Sequence, residues 1–321
     1  MVKYSTLFEF QQRFPTEDDC IKYLEKLRWP HGFRCPNCEH DVGYRLGTRR
    51  LIQCAVCRQQ TSPTAGTIFH RTKTPLLIWF WMVYLIAQDK GGCSTLKISK
   101  DLGMHYDTVW NLAHKVRHAM GSRDEQIKLA GFLELDEAMI GPQARKPGRP
   151  GKDPEGAVRP RKKRLGQRAS DKARQKTQSE AVVIVERESA HAGNVVMKVV
   201  ERTTRLDIRE VVEQRVEEGQ WFKTDGAHSH WVLKSMGHRL DCFPMSGEES
   251  CEELPIVHRV ISLLKRWLLG RFHGVSARYL QSYLYEFCFR FNRRDNEQSI
   301  CESLLRACAL TVPMTYAELR R

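Results

Sequence analysis

Residues Gly131–Gly141, Gly-Phe-Leu-Glu-Leu-Asp-Glu-Ala-Met-Ile-Gly, decide how the rest of this chain is read. In an extended segment successive side chains face opposite sides, so Phe132, Glu134 and Asp136 share one face while Leu133, Leu135 and Glu137 share the other. The pattern predicts a short buried strand with Asp136 at its end, held by apolar neighbours. Acids near a strand end are ordinarily solvated turn residues. A second stretch, Gln220-Trp-Phe-Lys-Thr-Asp-Gly226, argues otherwise, because it again ends in an Asp followed by a turn-forming Gly. Two separated strands presenting carboxylates suggest a shared metal site. A hard cation such as Mg²⁺ binds through one or two carboxylates and keeps water positions for a substrate phosphate.

The chain has 321 residues, enough for two or three domains with a sizeable core. Its longest apolar run, Leu76 to Ala87, is 12 residues, too short to cross a bilayer, and the N-terminus lacks the apolar core of a signal peptide. The expected location is therefore the cytoplasm, without membrane association. Four of the 11 cysteines form two Cys-x-x-Cys pairs and the rest are scattered, which suits a reducing compartment with one metal site better than a disulfide framework. The net charge of +14 points to a polyanionic partner, nucleic acid above all. Residues 141–178 carry 13 Lys plus Arg against 3 Asp plus Glu, so most of that charge sits in one tract.

Residues 1–30 read as a helical lead-in, with Thr16 as cap and Cys20, Ile21, Leu24 and Leu27 at helical spacing. In residues 31–70, Cys35, Cys38, Cys54 and Cys57 are the strongest local signal. Each pair makes a tight knuckle, and four thiolates close a tetrahedral Zn²⁺ site with no open position, so this zinc is expected to be structural. Strands around Val42–Gly47 and Leu51–Gln53 would complete a zinc ribbon. Residues 71–125 give a buried aromatic helix, then a helix from Ser94, a turn at Gly103 and a second helix from His105, the plan of a helix-turn-helix. On that plan Tyr106, Asp107, Thr108 and Asn111 face bases, while His114, Lys115, Arg117 and His118 serve phosphates. A plain helical hairpin is the alternative.

Residues 126–295 open with the acidic strand. The tract at 141–178, with five prolines and the run Arg161, Lys162, Lys163 and Arg164, has too little apolar surface to order itself and is expected to clamp DNA as a flexible loop. Three strands, a helix, a fourth strand ending at Asp225 and a fifth at Arg239–Phe243 follow an α/β order that matches a mixed five-stranded sheet, with the first and fourth strands adjacent. Two closing helices carry His258, Lys265 and Arg266 on the first and Glu286, Arg290 and Arg294 on the second, before a helical tail at 296–321.

The joint order of these motifs resembles bacterial insertion-sequence transposases of the zinc-ribbon group related to Merlin elements. The residues that carry the resemblance are the ribbon cysteines, Thr61–Phe69, the helix pair, Leu135-Asp-Glu137, Thr224-Asp-Gly226, His258–Ser262, Leu264-Lys-Arg-Trp267 and Glu286–Arg294. The resemblance implies an RNase H-like DDE catalytic domain in which Asp136 and Asp225 match the first two carboxylates. The third position of that family, an acid or Asn, falls at Leu263 here, and leucine binds no cation. Glu286 is the first substitute to consider and His258 the second; a salt bridge to Arg290 is the structural alternative for Glu286.

The activity so implied is Mg²⁺-dependent (or Mn²⁺-dependent) cleavage at terminal inverted repeats followed by strand transfer, by a homodimer or larger oligomer bound to double-stranded DNA in the nucleoid. The ribbon and helix pair would read the repeats, with Lys265 and Arg266 adding phosphate contacts. Glu137 is expected to orient Asp136 rather than to ligate. The rival readings are a catalytically impaired DNA-binding regulator and an RNase H-like nuclease that cuts without joining.

Overall fold

A computed structural model describes residues 6–47, 50–89, 91–141, 178–243 and 253–319, with side chains for all of these except 297–299. The basic run Arg161–Arg164 and its surrounding tract lie outside the described residues. Two compact units divide the chain: residues 1–128 with 282–321, and residues 129–281.

The first unit begins with α1 (Leu7–Arg13) and α2 (Glu17–Arg28). Thr16 caps α2 by accepting the Asp19 amide, as its position suggested. The ribbon is a three-stranded antiparallel sheet of β1 (Gly43–Leu46), β2 (Leu51–Cys54) and the short β3 (Gln60–Thr61). It leads to α3 (Leu76–Gln88), whose N-terminus has no cap of its own. The Glu17 carboxylate supplies one from α2, accepting the Leu76 and Leu77 amides at 2.9 and 3.0 Å. Next come α4 (Thr95–Asp101) and α5 (Tyr106–Asp124), joined through Gly103 at φ +61, a left-handed value that glycine adopts at little cost.

The second unit is built on β4 (Phe132–Ile140), β5 (Ser179–Glu188), β6 (His191–Val200), α6 (Arg205–Arg215), β7 (Trp221–Thr224), the short α7 (Val232–Ser235), β8 (Arg239–Cys242) and α8 (Pro255–Phe272). The five strands form one sheet in the order β6-β5-β4-β7-β8. The β6–β5–β4 side is antiparallel, and β7 and β8 run parallel to β4. This is the mixed RNase H-like sheet, with the first and fourth strands adjacent as the element order implied. Val182 to Val185 are fully buried in succession, which requires cover on both faces of the sheet.

The chain then returns to the first unit with α9 (Leu280–Phe291), α10 (Ile300–Leu310) and α11 (Tyr316–Leu319). The tail expected at 296–321 is not a loose appendage: Leu304, Leu305 and Cys308 of α10 are buried in the first unit's core beside α3 and α5.

Candidate metal-binding active site

β4 is longer than its sequence suggested. It pairs with β5 all the way to Ile140, so Asp136 lies at the middle of the strand rather than at its end. On the other edge the pairing with β7 stops at Leu135 and Thr224. Asp225 and Gly226 follow, and Gly226 at φ +79 turns the chain away. Asp136 and Asp225 are thus each one residue beyond the last registered pair of two parallel strands, where neighbouring backbones lie about 4.8 Å apart. The carboxyl end of an inner strand, where its neighbour departs, is where open α/β sheets bind ligands.

A third element is fixed over this point by a buried acid. Glu134, fully buried and two residues before Asp136 on the same strand face, accepts the Ile256 and Val257 amides at 2.9 and 2.8 Å. Its other oxygen lies 3.3 Å from Arg187. The N-terminus of α8 has no side-chain cap of its own and begins with Pro255, so Glu134 serves as its cap from across the fold. One turn on, His258 Nε2 lies 3.0 Å from Asp136 Oδ2.

A second imidazole sits between two acids. His230, in the 3₁₀ turn His228–Trp231, is fully buried. Its Nε2 is 3.0 Å from Glu137 Oε1, and its Nδ1 makes a 3.1 Å ion-pair contact with Asp225 Oδ1. Burial pushes His230 down, but Asp225 and Glu137 outweigh it and bring the imidazole up to about 9, so it is a cation at neutral pH. His230 in turn holds Asp225 below the usual carboxylate range. Asp136 goes the other way. Burial raises its carboxyl, and Glu137 and Asp225 raise it further against the opposing pull of His258.

Two neighbouring groups form here, Asp136 with His258 and the pair Glu137 and Asp225 with His230, and each carboxylate is less than one-third exposed. Ligand atoms of Glu137, Asp225 and His230 all lie within 4.8 Å of one another. Oxygen donors concentrated in this way, with more negative charge than the histidines neutralise, fit a hard divalent ion. Glu137 was expected only to orient Asp136; its carboxylate instead belongs to the convergent group.

Glu286 stands in the other unit. Its oxygens are taken by Arg117 at 2.8 Å and Arg290 at 3.0 Å, and it is almost wholly buried. The salt bridge to Arg290 is therefore present, with Arg117 added. Leu263 is 38% exposed on α8, five residues and well over a quarter-turn from His258. Lys265 and Arg266 are exposed on the same helix.

In the α4–α5 pair, Tyr106 is 45% exposed, while Thr108, Asn111 and Lys115 are half-buried. Asn111 Nδ2 donates to the Asp107 carbonyl of its own helix at 2.8 Å. His114 and Arg117, expected to meet phosphates, are buried, because the face of α5 that carries them is enclosed within the first unit and Arg117 is spent on Glu286.

The ribbon cysteines converge. Sγ atoms of Cys35 and Cys57, and of Cys38 and Cys54, are 3.5 Å apart, close to the ~3.8 Å edge of a tetrahedron with Zn–S bonds of about 2.3 Å. All four are unbridged, a set of soft sulfur donors of the kind a tetrahedral zinc takes.

Residues 128–292 match the model of the ISXO2-like transposase domain. The chain belongs to the ISXO2-like transposase family. The transposase zinc-ribbon domain matches residues 15–60, the segment holding all four cysteines. Over 130 residues the transposase chain is 25% identical to an uncharacterized protein in transposable element ISH50 of Halobacterium salinarum, spanning 40% of this chain and 43% of that relative. Among solved structures it is similar to a pre-cleavage Mos1 transpososome, at 14% identity over 73% of this chain and 78% of that one with a TM-score of 0.26. It is also similar to a simian T-cell lymphotropic virus intasome bound to PP2A regulatory subunit B56 gamma, at 12% identity over 60% and 64% with a TM-score of 0.27. No helix among the described residues is long and apolar enough to cross a membrane.

Proposed function

We propose that this protein cleaves DNA at the terminal inverted repeats of an insertion sequence and joins the freed ends to target DNA. The observation that carries the reading is the register of β4 and β7, which sets Asp136 beside Asp225, with His258 brought to Asp136 by α8. Asp136 and Asp225 are the ligands of the catalytic cation, Glu137 is a third carboxylate within reach of the same ion, and His258 takes the place of the family's third residue. A bound Mg²⁺ or Mn²⁺ supplies charge stabilisation to the attacking and leaving oxygens of an in-line displacement at phosphorus.

The residues themselves do the positioning. Glu134 fixes α8, α8 fixes His258, and His258 holds one oxygen of Asp136 in place. In the first reaction water attacks the phosphodiester at the transposon end and the 3′-oxygen leaves as a hydroxyl. In the second, that hydroxyl attacks a target phosphodiester and displaces its 3′-oxygen, so no covalent protein intermediate forms. The ribbon and the α4–α5 pair bind the repeats, with Tyr106 as the exposed contact at the start of α5, and the basic tract adds sequence-independent affinity. Two ends handled together require at least a dimer, acting in the cytoplasm at the nucleoid.

His230 favours a second reading. A buried imidazolium already held by Glu137 and Asp225 would keep a cation out, leaving a DNA-binding regulator that does not cut. Asp136→Asn and Asp225→Asn decide between them. Each should lower Mg²⁺-dependent strand cleavage by more than ~100-fold while DNA affinity is kept. Wild-type protein that binds repeat DNA and leaves it whole supports the regulator instead.

A further inference from the structure

The turn that carries His230 inward carries the next side chain out. Trp231 is 49% exposed, and Phe243, just past β8, is 37% exposed. With Gly226, Lys234 and Leu240 they line a cleft of about 550 Å³ at the carboxyl ends of β7 and β8, which begins one residue after Asp225. That size lies within the roughly 300–1,000 Å³ of small-molecule clefts. Lys234 Nζ stands 5.0 Å from the Trp231 ring and Lys223 Nζ 4.6 Å from the Phe243 ring. Lys223 is also held by Glu253 at 2.6 Å, whereas Lys234 makes no ion pair among the described residues. A Cβ at Gly226 would make only ordinary contacts, 3.6 Å to Cys242 and Phe243, so it is the left-handed φ of +79 that calls for glycine at the mouth of the cleft.

Exposed aromatic faces alternating with lysines form the kind of surface on which unpaired nucleotides are held: bases stack on the rings and cations meet the phosphates. A phosphodiester bound at Asp136 and Asp225 would have its neighbouring nucleotide at this cleft. We propose that the cleft receives one unpaired nucleobase beside the bond being cut, stacked on Trp231 with Phe243 at its edge and its phosphate met by Lys234. The inference rests on the reading of the carboxylate centre as a DNA-processing site. Stacking on a protein ring offsets the cost of drawing a base out of the duplex, and it tolerates any base because every base has a π-face.

The test uses the full-length, zinc-loaded protein and a short oligothymidylate carrying 5-iodouracil, irradiated with long-wavelength ultraviolet light and mapped by peptide mass spectrometry. An adduct on Trp231 or Phe243 is expected. With fluorescently labelled oligothymidylate, Trp231→Ala should weaken binding roughly tenfold, with Trp231→Phe recovering most of the loss. Lys234→Ala should reduce the slope of log affinity against log salt by about one, which Trp231→Ala should not do.

Adducts confined to other residues, or unchanged affinity in Trp231→Ala, overturn the inference. So does a Trp231→Ala protein that only falls from dimer to monomer in sedimentation, because Trp231 then contacts a second copy of the chain. None of these measurements needs cleavage, and Asp136→Asn should still crosslink. Cleavage that survives Asp136→Asn removes the enzymatic reading, whereas absent crosslinks beside carboxylate-dependent cleavage remove this inference alone.

Discussion

Glu286 is enclosed between Arg117 and Arg290, with only 2% of its side chain exposed. Burial pushes its carboxyl up, but Arg117 and then Arg290 outweigh burial and hold it below the usual range. A carboxylate depressed in this way stabilises the fold above its unfolded value of about 4.3, and that contribution is lost as pH falls through the folded value. His114 on the same helix as Arg117 adds to the effect. Burial, with the Arg117 charge, holds its imidazole down to about 3, so below about 6.5 the unfolded chain takes up a proton that the folded chain refuses. Both groups make stability rise with pH, and the melting temperature should fall as pH is lowered from 7 to 4. Glu286→Gln should cost about 3–5 kcal/mol at neutral pH by leaving two buried guanidinium groups without their carboxylate, and should flatten that acid decline. A variant as stable as wild type would remove this account. For His258 the expectation is different: His258→Leu should leave the melting temperature nearly unchanged while cleavage falls by more than ~10-fold, and His258→Glu should restore metal-dependent cutting. The sequence placed Glu286 ahead of His258, because an acid on a neighbouring helix is the more obvious cation ligand. Their partners, Arg117 and Asp136, lie 169 and 122 positions away and could not be paired by spacing.

Among the elements, β4 does the most. One face carries Glu134 to the N-terminus of α8 and Asp136 to His258, so a single strand sets both the helix and the reacting group on it. Glu134→Ala should therefore act twice. Loss of the cap and of the Arg187 partner should cost ~2 kcal/mol or more, read as a fall in denaturation midpoint. Cleavage should fall further than that loss of stability explains, because His258 would no longer be held at Asp136. Cleavage unaffected at temperatures where the variant is folded would break the link between cap and site. The strand itself was legible from its alternation, but its length was not. Met139 and Ile140 extend it because β5 supplies partners for their backbone groups, and β5 comes from beyond the basic tract. Alternation likewise assigned Glu137 to the far side of the strand from Asp136. That rule fixes Cβ directions, and a long side chain reaching a histidine outside the strand is not bound by it. The pair His228 and His230 shortly after Asp225 was the available signal.

For the whole molecule, the ribbon and the sheet are separable in kind: one is held by four thiolates, the other by a continuous apolar core. Chelation of zinc, or Cys35→Ser, should unfold the ribbon, release the metal and weaken binding to repeat DNA, while the five-stranded sheet keeps its circular-dichroism signal and amide-exchange protection. Collapse of the whole fold on chelation would refute that separation. Much of this molecule was determined by sequence alone. Cysteine spacing specified the zinc site, because a tetrahedral ion needs little more than two knuckles. Apolar periodicity specified the order of strands and helices, since burial acts on each segment locally. The charge of +14 pointed to a polyanionic partner, because charge acts at long range whatever the fold. Tertiary structure alone decided which charged groups meet. A carboxylate's role is set by what neutralises it, and the neutralising groups, His230 and His258 at the sheet and Arg117 at Glu286, come from elements that only folding brings within 3.0 Å or so of the acids.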